Sequence, residues 1–217
     1  MPVNKANQAI KHFRGASMSR LETLGDAIFA FALTLLALDL RLPEMSPDKI
    51  SQGIISLLPK LLFFVFAFLL VAQQWDVHQR TIRYIERADD LFVWLYLITL
   101  MFVVLLPVTA NILVRNPFES LALIFFGINL SLLCLASWLM WQYASRNRKL
   151  IRTDIEPYVV KMIASLWIYP PIIIIVSLLF IRLSITLVYI SWFLMPVISY
   201  AYSLWITRKH KVGPNRG

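Results

Sequence analysis

Charge, cysteine, histidine and glycine are all scarce in this 217-residue chain, and each scarcity closes off a class of protein. Charged residues make up 15% of the chain and apolar residues 59%. A soluble domain carries roughly 25% and 45–50% respectively, so a soluble globular fold is excluded. The mean hydropathy of +0.69 agrees. A lone cysteine, Cys134, rules out an internal disulfide, and its place inside an apolar run reads as a small buried residue. The histidines are His12, His78 and His210, two of them in terminal segments. They give no basis for a metal site or for a Ser- or Cys-His catalytic set. The chain has six glycines and no Gly-rich phosphate loop, H-E-x-x-H, G-x-S-x-G or TVGYG-type filter loop. Neither enzymatic activity nor a cofactor is expected.

What the chain has is apolar length. A spanning helix needs about 20 mostly apolar residues. Six runs qualify, at about 21–40, 53–75, 90–113, 119–143, 158–181 and 184–206. The expected fold class is therefore an all-α integral membrane protein with six transmembrane helices per subunit. The organisation reads as an N-terminal arm over 1–19, a six-helix domain over 20–206 and a basic tail over 207–217. The first run ends in Asp39 and Arg41 without a small-residue cleavage site, unlike a signal peptide.

The net charge of +9 and pI near 9.9 would point to nucleic acid in a soluble protein. Here the charges sit in the gaps between runs, so topology explains them and no nucleic-acid partner is expected. Sixteen Lys and Arg fall on one side of the six runs and five on the other, the five being Arg41, Lys49, Lys60, Arg115 and Arg182. The positive-inside rule places both termini in the cytoplasm.

The first run is chemically unusual, because Asp26 lies one to two turns inside it. An Asp at a helix centre costs about 2.5–3.5 kcal/mol on insertion scales. It reads either as an ion or proton site or as a carboxylate tied into an interhelical hydrogen-bond network. On a helical wheel Asp26 falls with Ala30, Leu33 and Ala37, small residues suited to close packing. The opposite face carries Leu24, Phe31, Leu35 and Leu38, with Thr34 at its edge. The second run leaves the membrane through Gln73, Gln74, Trp75, Asp76 and His78, which places Arg20, Asp26 and His78 at one depth. Most tryptophans read as interfacial anchors, Pro107, Pro170, Pro171 and Pro196 as kinks or helix ends, and Asn111 and Asn129 as interhelical hydrogen-bonders.

These residues resemble a known family. Arg20, Asp26 and Phe29 match the R-x-x-x-F-S-D-x-x-F signature of the transmembrane protein 175 family, the prokaryotic and lysosomal potassium channels. WDVHQR at 75–80 resembles the block W-x-N-H-H-R that ends the second helix. DDLFVWLYLITLMFVVLLPVTA at 89–110 resembles the third. The likeness covers about the first half of the chain. The chain departs from the pattern at Leu24-Gly25 (for F-S), Val77, Gln79 and Tyr96 (for Asn).

The resemblance implies a homotetramer in a prokaryotic cell membrane, with the first helix of each subunit lining a central pore and potassium ions and the lipid bilayer as partners. By offset from Asp26, the pore constriction falls on Phe31, Leu35 and Leu38, with Thr34 one position before the middle layer. That is the large apolar face of the wheel, and a ring of apolar side chains gates by dewetting. Arg20, Asp26 and His78 map to a structural, pH-sensitive network that ties the pore helix to its neighbours. The expected function is a potassium-selective or weakly selective cation channel. The alternatives are a non-conducting membrane assembly protein on the same fold, motivated by the departures, and a proton-coupled transporter using Asp26.

Overall fold

A computed structural model describes residues 17–38 and 50–211. The expected arm up to residue 16, the link with Pro43 and Pro47, and the end of the basic tail lie outside the described residues. Among the described residues six α-helices follow one another: α1 (Met18–Ala37), α2 (Ile50–Ile82), α3 (Asp90–Arg115), α4 (Ser120–Ser145), α5 (Pro157–Leu179) and α6 (Ile185–Lys211). Among the described residues, α2 to α6 are long and apolar enough to cross a membrane. The chain is a multi-pass membrane protein. At 20 residues, with Arg20, Glu22 and Asp26 in its first turns, α1 is not among those five.

Local chemistry sets the helix starts. Ser17 caps α1 by accepting from the Arg20 amide at 3.3 Å, and Asp89 caps α3 by accepting from the Phe92 amide at 2.9 Å. Pro157 begins α5, where its missing N–H costs nothing. Pro59, Pro107, Pro170, Pro171 and Pro196 all lie inside continuous helices, so none of them ends a span. The second helix also runs seven residues past its last expected position. Its polar end is helical because Gln74, His78 and Thr81 turn inward while Asp76 and Arg80 pair one turn apart on the outside, at 2.7 Å.

α1, α2 and α3 pack on one another, α4 packs between α3 and α5, and α6 packs on α5 and touches α2. α4 is buried on most of its circumference, with Ala122, Gly127, Ser131, Ala136, Ser137 and Ala144 among its buried positions. Small residues let helix backbones approach without a hydrophobic driving force. At Gly127 the fit is tight: a Cβ there would lie 3.0 Å from the Trp192 ring and 3.1 Å from Ile174. Trp192 has little freedom to retreat, since its indole N–H donates to Ser177 at 2.8 Å. Gly127→Ala is therefore expected to destabilise the protein by about 1–3 kcal/mol through overpacking, despite the better helix propensity of alanine. A melting temperature in detergent equal to that of the parent would disprove this.

Two tryptophans expected among the interfacial anchors, Trp141 and Trp192, are instead buried, and Trp167 is buried with them. Trp141, Trp167 and Trp192 are fully buried, and each indole N–H bonds another part of the structure: Val160 O at 3.0 Å, Thr81 Oγ1 at 2.9 Å and Ser177 Oγ at 2.8 Å. A buried indole needs such a partner, and here it ties helices together. Trp94 and Trp205 are exposed, as an anchor would be. Asn129 bridges α4 to Thr109 of α3 at 3.3 Å, whereas Asn111 accepts from Arg115 on its own helix. Cys134 is buried and donates weakly to Gln74 at 3.4 Å.

The links after α2 and α4 form a small structure of their own. α4 ends in a 3-10 turn over Arg146–Arg148 in which Asn147 and Arg148 have φ of 53° and 52°. The reversed chain then lies antiparallel to residues 84–86, with Ile85 opposite Ile151. The backbone N–H of Glu86 donates to Leu150 O at 2.8 Å and that of Arg152 to Tyr84 O at 3.1 Å. Beside this staple, Asp89 accepts from Tyr143 at 2.6 Å and pairs with Lys149 at 2.8 Å. Partial burial alone would raise the Asp89 carboxyl, but donation from Lys149, Tyr143 and the Phe92 amide outweighs it and holds the group below the usual carboxylate range. A depressed carboxylate stabilises the fold above its unfolded value of 3.8 and loses that contribution as pH falls through the lower folded value. Melting temperature should therefore fall as pH drops below about 4, and Asp89→Asn should flatten that fall. An equally steep fall in the variant would assign the acid sensitivity elsewhere.

Candidate functional site: the exposed face of the first helix

α1 buries one narrow stripe against α2 and α3: Leu21, Gly25, Phe29, Ala32 and Leu36, spaced by three or four residues. This is not the Asp26–Ala30–Leu33–Ala37 face expected from the wheel, of which Leu33 packs partly against the core. Ala30 and Ala37 are exposed, and Asp26 sits at the flank of the packed stripe. The side turned away from α2 and α3 carries Thr23, Ala27, Phe31, Thr34 and Leu38. Phe31 is 65% exposed and Leu38 58%, while Leu35 is half-buried at the edge of this face. The Thr34 hydroxyl donates to the Phe31 carbonyl at 2.8 Å. Its single proton is thus committed to the helix, and its oxygen lone pairs remain for an outside partner such as a cation.

The three polar residues expected to meet are distributed over two neighbouring clusters and one outward position. Asp26 Oδ1 accepts from the Trp75 indole at 3.1 Å and from the Gln79 amide, two residues one turn apart on α2. His78 is buried and pairs through Nε2 with the Tyr96 hydroxyl at 3.2 Å, its ring lying 5.2 Å from that of Phe29. Tyr96 in turn donates to the Leu21 carbonyl at 2.8 Å. A hydroxyl has one proton, so His78 must be the donor at Nε2. Its Nδ1 is buried without a hydrogen-bond partner among the described residues. Arg20 is exposed; at 100° per residue it lies about 120° around α1 from Asp26, which separates the two groups.

Trp75, Gln79 and Tyr96 are thus part of the site although the sequence alone assigns them no such role. Gln79 and Tyr96 stand out there only as departures from the family pattern. In the structure Gln79 bonds Asp26, and Tyr96 bonds both His78 and the backbone of α1. The signal that could have found Tyr96 is the paired change at position 25. Gly25 lacks a side chain where Tyr96 brings a long one, and a Cβ on Gly25 would lie 2.1 Å from the Tyr96 hydroxyl.

Comparison with known proteins bears on this same region. Residues 20–107, which span α1, α2 and most of α3, match the family model described as endosomal/lysosomal potassium channel TMEM175. A potassium channel of Streptomyces collinus is 25% identical over 142 residues, covering 63% of this chain and 69% of that one. An endosomal/lysosomal proton channel TMEM175 of Mus musculus is 27% identical over 114 residues, covering 52% of this chain and 23% of that one. The crystal structure of a lysosomal potassium-selective channel TMEM175 homolog from Chamaesiphon minutus shares the fold. Its TM-score is 0.71 at 21% identity, covering 86% of this chain and 97% of that one.

Proposed function

We propose that this chain, whose residues 20–107 match the TMEM175 family, is one subunit of a homotetrameric cation channel that favours potassium. The observation that carries this reading is the outward face of α1. It is the helix least suited to face lipid, with three charged residues in its first turns, yet it leaves Phe31, Thr34 and Leu38 uncovered by its own subunit. One helix cannot enclose a pore, and a closed ring of copies can. In that ring Phe31, Leu35 and Leu38 form apolar constrictions that exclude water until the pore opens. The Thr34 oxygens offer ligands to an ion losing its hydration shell. Asp26 and His78 hold α1 against α2 and α3.

The remaining features fit a channel subunit with six crossings over 20–206, residing in the cell membrane of a prokaryote with both termini in the cytoplasm. A non-conducting assembly is motivated by the departures at Leu24, Gly25 and Tyr96. Since Gln79 and Tyr96 each make bonds to the pore helix or its supports, that motive weakens. A proton-coupled transporter is disfavoured because Asp26 lies at the flank of α1 and is engaged by Trp75 and Gln79.

The test is ion flux from proteoliposomes carrying the purified tetramer. Potassium flux exceeding sodium flux is the expected result. An intact, well-folded tetramer that passes neither ion under any gradient or pH would refute the channel.

A further inference from the structure

Three helices meet at a single oxygen, the hydroxyl of Tyr96. It donates to the Leu21 carbonyl of α1 at 2.8 Å and accepts from His78 of α2 at 3.2 Å, while the ring belongs to α3 and stacks on Phe92. The hydroxyl reaches the α1 backbone because position 25 is glycine. A Cβ there would lie 2.1 Å from the hydroxyl, 3.2 Å from His78 Nε2 and 3.3 Å from Tyr96 Cζ. A contact of 2.1 Å is far inside van der Waals range, so any other residue at position 25 must displace Tyr96 or α1. Glycine inside a helix is unfavourable in itself. Here it opens a notch that the Tyr96 hydroxyl fills.

Leu21 and Gly25 lie on the packed stripe, across the helix from Thr34 and Leu38. Thr34 is nine residues beyond Gly25, or about 13–14 Å along the axis at 1.5 Å per residue. A small tilt of α1 at the notch is therefore enlarged at the constriction. Four copies of the same tilt would change the width of the ring symmetrically.

From this geometry we infer that Tyr96 is a positioning residue that sets the seat of α1, and through it the width of the proposed constriction. This rests on the channel reading above. Tyr96 touches no ion. It acts by holding the carbonyl of Leu21 at a fixed distance from α3, with His78 fixing the direction of its hydroxyl.

The test is a cycle of Tyr96→Phe, Gly25→Ala and the double variant, read in two ways. Thermal stability of the purified tetramer needs no current. Gly25→Ala should lower it strongly in the parent and much less in the Tyr96→Phe background, where the clashing oxygen is gone. Unitary conductance and the potassium-to-sodium permeability ratio do not depend on how many channels fold. Tyr96→Phe keeps the ring and its stacking, so it should give intact tetramers with a severalfold changed unitary conductance or a shifted reversal potential. Additive stability effects in the cycle overturn the notch. Unchanged conductance and reversal potential in Tyr96→Phe overturn the positioning role even if the cycle is coupled. A parent tetramer that carries no current overturns the channel reading and with it the role of Tyr96 in a pore. Coupling in the stability cycle would then still distinguish a real notch from none.

Discussion

In the proposed tetrameric channel, replacing Phe31 or Leu38 with alanine should raise ion leak and reduce discrimination between potassium and sodium. Both side chains are exposed on the face of α1 turned from the subunit, so truncating them removes little packing within it. An apolar ring obstructs ions by expelling water from the pore, and a wider, less apolar ring holds water more readily. A barrier lowered by about 1.4 kcal/mol raises the rate about tenfold. The effect should be largest at Phe31, which loses most volume. Leu36→Ala is the control. Leu36 lies on the packed stripe, and its truncation should cost about 2–5 kcal/mol of stability by leaving a cavity. Its effect on leak per folded channel should be small. If Leu36→Ala leaks and Phe31→Ala does not, the lining face has been placed on the wrong side of the helix. Leu35→Ala should combine the two behaviours, because Leu35 is half-buried at the edge of the face.

The apolar runs make the helices legible because lipid imposes a minimum length on them. They do not show where α2 ends. Its last turns are polar, and their inward and outward sides become distinct only once α5 supplies Trp167 as a partner for Thr81. On α1 the helical wheel groups Leu24, Phe31, Leu35 and Leu38 with Thr34 at their edge; the packed helices leave Leu24, Phe31, Thr34 and Leu38 exposed and half-bury Leu35. The same wheel misplaces the packing stripe. Centring it on Asp26 treats the carboxylate as the middle of an interface. Asp26 instead sits at the flank, where Trp75 and Gln79 reach it from α2, and the packed line passes through Gly25 and Phe29. Tyr96 shows a second limit. Judged against a family pattern, position 96 counts as a lost hydrogen-bonder, while the compensating change lies 71 residues away in sequence and on another helix. Only the shared space between Gly25 and Tyr96 makes the two changes one.

Asp26→Ala should be the most damaging polar substitution in the chain. The carboxylate accepts from the Trp75 indole and the Gln79 amide, and both bonds tie α1 to α2. Hydrogen bonds to a charged group contribute about 1.5–3 kcal/mol each, and donors left without a partner carry a further cost. A loss of about 2–4 kcal/mol is a large fraction of the roughly 5–15 kcal/mol that holds a typical domain. Asp26→Ala is expected to lower expression and the yield of the proposed tetramer, seen as a shift to smaller species in size-exclusion chromatography. Asp26→Asn keeps one acceptor oxygen and loses the charge, so it should fall between the alanine variant and the parent. Asp76→Ala calibrates the scale. Asp76 pairs with Arg80 where both side chains are about half exposed, and such a pair contributes about 0–1 kcal/mol. Trp75→Phe should cost much less in the Asp26→Ala background than in the parent, since the acceptor is already gone. An Asp26→Ala tetramer as stable as the parent would remove Asp26 from the support of α1. A stable Asp26→Asn tetramer whose flux gains or loses pH dependence would instead make Asp26 a proton-binding group of the pore helix.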